Sequence, residues 1–387
     1  MSKKILLCAT VDYHFRAFHL PYMKWFKEQG WEVHIAANGD MDLPYVDAKF
    51  NIPIQRSPFK RMNKKAYAEL KSIIDENGYD IIHCHTPMGG VLARIAAREA
   101  RRYGTKVIYT AHGFHFCKGA PFINWMLYYP LEKILSYWTD CLITINEEDY
   151  KLAIDHRFRA RRIEHVHGVG VDTERFRPMN ETKKHELKMK AGYSSGDILL
   201  FYAAEFNQNK NQQLLIHALS LLNNDVNNVN NVKLLLAGEG PLKEQCIELA
   251  RGLGVADQVD FLGYRKDIER LLPMCDVAVA SSLREGLPLN LMEAMACALP
   301  IIASSNRGHR ELVHNDDNGW IVDPNDSEAM AAKVKLLAHH KDLRLKLGKS
   351  GREMVESRYA IHSVLDEKRM IYSLFMDKKV EGMWEIQ

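Results

Sequence analysis

The sequence predicts an α/β protein of two Rossmann-like domains, each a doubly wound parallel sheet, that face each other across a cleft. Its 387 residues exceed the size of one compact domain and suggest two domains of about 150–200 residues each. Short apolar runs rich in β-branched residues alternate with amphipathic helical patterns along the chain. The strand-like runs are apolar throughout, as in parallel sheets that are covered on both faces.

The first half contains six predicted strands that alternate with five predicted helices. The strands are residues 4–9, 32–37, 81–85, 107–110, 141–145 and 163–167, and the helices are residues 18–29, 64–77, 89–102, 121–137 and 147–156. Gly30 and Gly78 follow the first two helices, where a left-handed glycine commonly ends a helix.

The second half repeats this alternation after a charged helix at residues 181–190. Its predicted strands are residues 198–203, 232–237, 259–262, 277–280, 300–303 and 320–322. Phe176-Arg177-Pro178 marks the join, so we expect domains at 1–177 and 178–361. Helices alone follow Pro324, and we expect the last segment, about 362–387, to pack back on the first domain.

The composition is that of a globular protein, 47% apolar and 26% charged, with a net charge of +3. Residues 1–178 carry 26 Lys and Arg against 20 Asp and Glu, whereas the remainder carries 26 against 29. This asymmetry is too mild for a nucleic-acid-binding protein. It favours an anionic membrane surface or a phosphate-bearing acceptor as the partner of the first half.

The cysteines and the N-terminus indicate a cytoplasmic protein. The seven cysteines are odd in number and form no CxxC pair, which argues against a disulfide framework and a zinc site. The apolar run after Lys4 ends at Asp12 and is too short for a signal peptide. No apolar stretch approaches 18 residues, so we expect no membrane span.

The segment EGLPLNLME, residues 285–293, is the most informative part of the chain. It places Glu285 on a loop and Glu293 in the first turns of a helix that Pro288 opens at its first position. A carboxylate accepts hydrogen bonds from a vicinal diol, and a helix N-terminus binds a diphosphate, so the pattern suggests a nucleotide-sugar pocket. An acidic helix start that only complements the helix dipole is the alternative.

Two further segments follow strands of the second half. Lys210 lies between a strand and a helix, where an ammonium group can pair with a diphosphate. The alternative is a solvated lysine at a helix start. Gly238 and Gly240 permit close backbone approach to a ligand, and Pro241 suits the first helical position. A simple strand-to-helix turn explains them equally well.

In the first half, His112 directly follows a strand, and Gly113 allows the turn that exposes its imidazole to a sugar hydroxyl. A structural histidine is the alternative. His83 and His85 point to the same face of their strand and Cys84 to the other, so these three residues cannot ligate one metal ion. Asp40-Met41-Asp42 matches a DxD metal motif but is interpreted as surface. No dinucleotide-binding GxGxxG motif follows the first strand.

Several ordered motifs together resemble those of retaining glycosyltransferase family 4, of GT-B fold, including bacterial exopolysaccharide and capsule enzymes. They are the E-x7-E segment 285–293, the turn GEGPL at 238–242, FLGY at 261–264 and VGVD…FRP at 169–178. The resemblance covers essentially the whole chain. It implies a first domain that binds the acceptor and a second that binds a nucleotide-sugar donor.

The resemblance also implies roles for single residues. Glu293 would hold the donor ribose, Glu285 would lie by the hexose, Lys210 would hold the diphosphate and His112 would lie near the transferred sugar. The other donor residues would be Gly240, Tyr264, Arg265, Gly286, Leu287 and Asn290, and the acceptor residues Asp12, His14 and Arg16. The family often has Gly-Arg where this chain has Ala204-Glu205, so the charge must come from Lys210, helix dipoles or Arg284.

The expected function is transfer of a hexose or N-acetylhexosamine from a UDP-sugar, with retention and without a metal or other cofactor. The expected acceptor is a polyprenyl-diphosphate-linked glycan. Basic residues within 56–65 and the aromatic stretch 122–129 suggest peripheral binding to the cytoplasmic face of the plasma membrane, unless that stretch is core. A UDP-sugar epimerase and a non-catalytic partner subunit are the alternatives.

Overall fold

The computed structural model describes residues 2–223 and 231–376, which form two compact units. The first unit comprises the described residues up to Gly168 together with those from Val364 onward, and the second runs from Val169 to Ser363. The predicted segment 362–387 extends past the described residues, which end at Met376.

The first unit is built on a seven-stranded parallel sheet in the order β3-β2-β1-β4-β5-β6-β7. Its elements are β1 (Lys4–Val11), α1 (Tyr13–Phe18), α2 (Leu20–Glu28), β2 (Glu32–Asn38), β3 (Ala48–Asn51), α3 (Met62–Asn77), β4 (Ile81–His85), α4 (Pro87–Ala96), β5 (Lys106–Ala111), α5 (Phe122–Ser136), β6 (Cys141–Thr144), α6 (Glu147–Asp155) and β7 (Arg162–His165).

The second unit has a six-stranded parallel sheet in the order β10-β9-β8-β11-β12-β13. Its elements are α7 (Glu181–Lys190), β8 (Ile198–Ala203), α8 (Gln212–Asn223), β9 (Val232–Ala237), α9 (Lys243–Gly252), β10 (Val259–Gly263), α10 (Ile268–Leu271), β11 (Val277–Ala280), α11 (Leu289–Ala296), β12 (Ile301–Ser304), α12 (Arg307–Leu312), β13 (Gly319–Val322), α13 (Ser327–His339) and α14 (Lys341–Met354).

The predicted fold class of two parallel-sheet α/β units is confirmed, and all twelve predicted strands are present. The edge strand β3 is an addition that apolar patterning does not indicate, because its residues AKFN are half-buried or exposed. The predicted helix 89–102 is shorter than expected. It ends as α4 at Ala96, and a 3-10 turn follows at Ala100–Tyr103.

The last described helix, α15 (Ile361–Met376), follows the second unit in sequence but packs in the core of the first. Its Tyr372 hydroxyl is 2.6 Å from His83 Nδ1, and the Tyr372 ring contacts Phe26 and Trp25. The boundary between the units falls at Gly168, earlier than the predicted join. Val171 and Phe176 explain this difference, because both are buried in the second core.

Candidate active site

The loop that follows β8 is tied to the loop that follows β11. The carbonyl of Lys210 accepts a hydrogen bond of 2.7 Å from Ser281 Oγ. Asn209 donates its side-chain amide to the carbonyl of Arg284 at 3.0 Å. Because the carboxyl ends of neighbouring parallel strands share one edge of a sheet, these bonds bring Lys210 close to Glu285.

Lys210 and Glu285 form an ion pair in which Nζ lies 2.5 Å from Oε1, with 23% and 16% of the side chains exposed. The two predicted catalytic residues of this unit are therefore neighbours. Lys210 is not a solvated lysine, because its charge is already balanced by a carboxylate. Glu205, which stands where the family often has arginine, is exposed and accepts a hydrogen bond from Asn207.

The Glu285 loop rests on the start of α12, a support that the motif alone does not predict. A Cβ atom on Gly308 would lie 2.8 Å from the carbonyl oxygen of Gly286, so only glycine fits here. Arg307 donates its Nε to the carbonyl of Glu285 at 3.0 Å. Burial lowers the pKa of His309 to about 4, and its Nδ1 donates to the carbonyl of Ser304. Arg307 and Gly308 at the start of α12 therefore support the Glu285 loop, and the neutral imidazole of His309 fixes the same turn through Ser304.

Glu293 lies on α11 and is half-buried. Burial raises the pKa of its carboxyl to about 7, against the lowering effect of Arg175, which is itself paired with Glu269 at 2.9 Å. Pro288 is the N-cap of α11 and not its first helical residue as predicted. Asn290 donates to the carbonyl of Ala203, which joins α11 to the end of β8.

The glycines at 238 and 240 are required by backbone packing. Their φ angles are +150° and +155°, and added Cβ atoms would lie 2.0 Å from the Ala204 oxygen and 2.4 Å from the Phe206 oxygen. Pro241 precedes α9, which begins at Lys243, so its predicted first helical position is wrong. The turn and the Lys210 loop form one continuous backbone surface, and the binding role of Gly240 stays a prediction.

Four other predicted donor residues lie in the loops of the same unit. Tyr264 and Arg265 follow β10, where Tyr264 is exposed and Arg265 pairs with Asp267 at 2.6 Å. Leu287 packs against the core of the second unit, and the carbonyl of Gly286 lies close to Gly308 of α12. Their contacts with a donor stay predictions.

In the first unit, His14 and His112 line a cavity of about 760 Å³. Its other walls include apolar side chains of α4 and α5, among them Met88, Val91 and Leu131. Burial holds the pKa of both histidines below the usual range, so both imidazoles are neutral at pH 7. The cavity lining therefore combines neutral imidazoles and apolar side chains with two charged side chains.

The other two predicted acceptor residues are not among the residues that line this cavity. Asp12 is buried and accepts hydrogen bonds of 2.7 Å from Lys49 Nζ and from the Met41 N–H. Burial by itself would raise the pKa of Asp12, but these partners outweigh it and lower the pKa. Arg16 is exposed in the last turn of α1. Asp12 thus holds the loop after β2 and fixes β3 through Lys49.

Four histidines of the first unit come together although they are distant in sequence. One nitrogen from each of His14, His19, His85 and His112 lies within 4.8 Å of the others. The sequence pattern does not predict this group. As predicted, Cys84 lies on the other face of β4 from His83, because His83 faces Tyr372 and Thr110 while Cys84 packs in the opposite core.

The predicted membrane-binding elements are divided between core and surface. Trp125, Tyr128 and Tyr129 pack against the core of the first unit. The exposed residues of α5 are all apolar, and they are Phe122, Ile123, Met126, Leu127, Pro130 and Ile134. The five basic residues between 56 and 65 are exposed, as is Phe59 between them. Among the described helices, none is long and apolar enough to cross a bilayer.

Comparison with protein families matches both halves of the chain. Residues 22–175 match Glycosyltransferase Family 4, and residues 183–354 match Glycosyl transferases group 1. Among solved structures, Anabaena HepE in complex with UDP and glucose superposes with a TM-score of 0.77 at 19% identity, covering 96% of this chain and 100% of that one. Sucrose-phosphate synthase from Thermosynechococcus elongatus gives 0.77 at 18% identity, covering 96% and 98%. These likenesses show the GT-B fold.

Three curated relatives match most of the chain. EpsD of Bacillus subtilis (strain 168), named as a glycosyltransferase, is 53% identical, covering 97% of this chain and 98% of that protein. UDP-Gal:alpha-D-GlcNAc-diphosphoundecaprenol alpha-1,3-galactosyltransferase of Escherichia coli is 27% identical, covering 80% and 79%. The capsular polysaccharide glycosyltransferase CapM of Staphylococcus aureus is 24% identical, covering 93% and 94%. The chain therefore belongs to the family 4 glycosyltransferases, and one of its relatives is named for capsular polysaccharide biosynthesis.

Proposed function

We propose that this chain is a retaining, metal-independent enzyme that transfers a hexose or N-acetylhexosamine from a UDP-sugar. Its acceptor is a polyprenyl-diphosphate-linked glycan of exopolysaccharide or capsule synthesis. The observation that carries the donor half is the ion pair of Lys210 and Glu285 at the carboxyl end of the second sheet. The UDP complex of HepE and the name of the Escherichia coli relative support the donor and the lipid-linked acceptor.

In this scheme Lys210 exchanges one anionic partner for another. The donor diphosphate approaches the backbone surface made by the 238–240 turn and the Lys210 loop, and it draws the ammonium group from Glu285. Glu285, released from the pair, accepts a hydrogen bond from a hydroxyl of the sugar. Glu293, in its ionised form, accepts hydrogen bonds from the hydroxyls of the ribose.

The transfer step needs no protein nucleophile. The bond between C1 of the sugar and the β-phosphate oxygen breaks, and its electron pair leaves with UDP. The acceptor oxygen bonds to C1 on the same face and gives its proton to the departing phosphate oxygen, which retains the configuration. Lys210 stabilises the charge that develops on this phosphate, which is a preorganised electrostatic role.

The first unit suits an amphipathic acceptor. The neutral His14 and His112 can hydrogen-bond sugar hydroxyls at the edge of the 760 Å³ cavity, while its apolar walls exclude water. The apolar exposed face of α5 and the basic residues near Phe59 suit an anionic membrane surface. We place the enzyme on the cytoplasmic face of the plasma membrane.

A donor panel assayed by UDP release tests the proposal. UDP-glucose, UDP-galactose and their N-acetylated forms are each incubated with an acceptor of polyprenyl-diphosphate-linked sugar, with and without EDTA. We expect one donor to be used with retention and EDTA to have no effect. Restoration of an EDTA-treated enzyme by manganese would refute metal independence, and transfer only to soluble sugars would refute the acceptor.

The same panel separates the alternative functions. Conversion of UDP-N-acetylglucosamine to its epimer without any acceptor would show an epimerase. Complete absence of UDP release, including slow donor hydrolysis, would show a binding subunit without turnover.

A further inference from the structure

The four histidines of the first unit have the spacing of metal ligands. His14 Nε2 lies 3.1 Å from His19 Nε2, and His85 Nδ1 lies 3.4 Å from His112 Nε2. A tetrahedral zinc ion with Zn–N bonds of about 2.0–2.1 Å holds its ligand nitrogens about 3.3 Å apart. Two edges of such a tetrahedron are therefore present. One ligand nitrogen from each of the four histidines lies within 4.8 Å of the other three.

The rings also surround a common centre. Their six centroid distances range from 4.1 to 6.4 Å, so they neither form a single stack nor spread along one surface.

One neighbouring charge acts against metal binding. The buried ammonium group of Lys368 lies close enough to His14, His19 and His112 to repel a cation held by them. We expect binding to be weaker than at an all-histidine site without a neighbouring cation.

We propose that His14, His19, His85 and His112 form a binding site for one divalent transition-metal ion of the zinc class. Imidazole ligands select zinc, cobalt, nickel or copper over magnesium and manganese. The ion would occupy the nitrogens of His14 and His112 at the edge of the cavity. Because these nitrogens would then no longer be available to a sugar hydroxyl, the bound ion inhibits transfer. This consequence rests on the proposed function and is compatible with a metal-independent reaction.

Cobalt substitution tests the site without requiring turnover. The full chain, free of any histidine tag, is titrated with Co²⁺ while its visible d–d absorption is recorded, and with Zn²⁺ by calorimetry. We expect one ion per chain and a tetrahedral cobalt spectrum. His19→Gln should weaken binding at least about tenfold. The control His217→Gln, which alters an exposed histidine of α8, should leave it unchanged.

A second variant guards against misfolding of His19→Gln. Lys368→Met removes the neighbouring positive charge while keeping an unbranched chain, so it should tighten metal binding by about tenfold. Equal affinity in wild type and His19→Gln, or failure to bind Zn²⁺ in a folded protein, would overturn the site. Inactivity of the metal-free enzyme would count against the proposed function, and the cobalt spectrum would still decide the metal site.

Discussion

Lys210 and Glu285 form an ion pair that the proposed donor diphosphate would have to disrupt, because one ammonium group would then serve both anions. Replacing Glu285 by Gln releases Lys210 for the donor. We expect Glu285→Gln to lower the donor KM by up to about fivefold, the strength of a partly exposed ion pair. The same change should lower kcat, because the carboxylate no longer holds the reacting sugar. Steady-state kinetics with varied donor measure this split.

A second pair of the same kind provides the control. Lys341 of α14 and Glu181 of α7 also form a Lys–Glu ion pair of the second unit, at 2.6 Å and outside the candidate site. Glu181→Gln should leave both constants nearly unchanged. If Glu285→Gln raised the donor KM and left kcat intact, Glu285 would be a simple binding residue and the exchange of partners would be wrong.

If Glu293 binds the donor ribose as proposed, it should make donor binding depend on pH. Its folded-state pKa of about 7 lies above the ordinary carboxyl value of 4.5, so it is largely protonated at pH 6 and ionised at pH 8. Only the ionised form accepts two hydroxyl hydrogen bonds. The affinity for UDP should therefore rise between pH 6 and pH 8. In Glu293→Gln it should be about tenfold weaker than wild type at pH 8 and independent of pH.

Calorimetry with UDP at both pH values measures this effect. Glu244→Gln, an exposed carboxyl of α9, should bind as wild type does. An unchanged pH dependence in Glu293→Gln would assign the titration to another group.

At the scale of elements, α5 has a buried face and an exposed apolar face. One face packs Trp125, Tyr128 and Tyr129 into the core, and the other presents only apolar residues to solvent. Met126→Glu should therefore reduce co-sedimentation with anionic liposomes at low salt severalfold while the protein stays folded. Ile154→Glu, at an exposed apolar position of α6, is the matched control. Equal loss in both variants, or no binding by wild type, would refute a specific membrane face.

The elements also show what sequence patterns can predict. Strands such as β8 and β11 were placed at their true bounds because both faces of each are buried, which makes a continuous apolar run. The pattern did not predict edge strand β3, because the pairing of β3 with β2 requires no continuous apolar run. Pro288 and Pro241 were assigned to first helical positions, but Pro288 is the extended N-cap of α11, and Pro241 lies two residues before α9 begins.

The candidate site likewise contains residues that local sequence identified and residues that it did not. Glu285 and Glu293 belong to one short segment, so local sequence was enough to single them out. The histidine cluster joins α1, β4 and the loop after β5, and only the order of strands in the sheet brings these together. The partners of Asp12 were hidden for the same reason, because Lys49 lies on the strand that the pattern missed.

At the scale of the molecule, the described residues form three hydrophobic cores, two in the first unit and one in the second, and α15 returns to one of the two in the first unit. Tyr372 fills that core against Phe26, and its hydroxyl meets His83 Nδ1 at 2.6 Å. Tyr372→Ala should cost about 3–5 kcal/mol of the stability of the first unit, because it opens a cavity and leaves His83 unpaired on that side. Tyr372→Phe, which keeps the ring, should cost about 1–2 kcal/mol.

Hydrogen exchange locates the damage, since the two units have separate cores. In Tyr372→Ala, amides of β1 and β4 should exchange faster, while those of β8 and β11 keep the wild-type rate. Tyr103→Ala, at a side chain 87% exposed in the same unit, should change neither set. Equal acceleration in both sheets would mean that the cores of the two units unfold together. The stability of the second unit would then depend on α15, although no described residue of α15 belongs to the core of that unit.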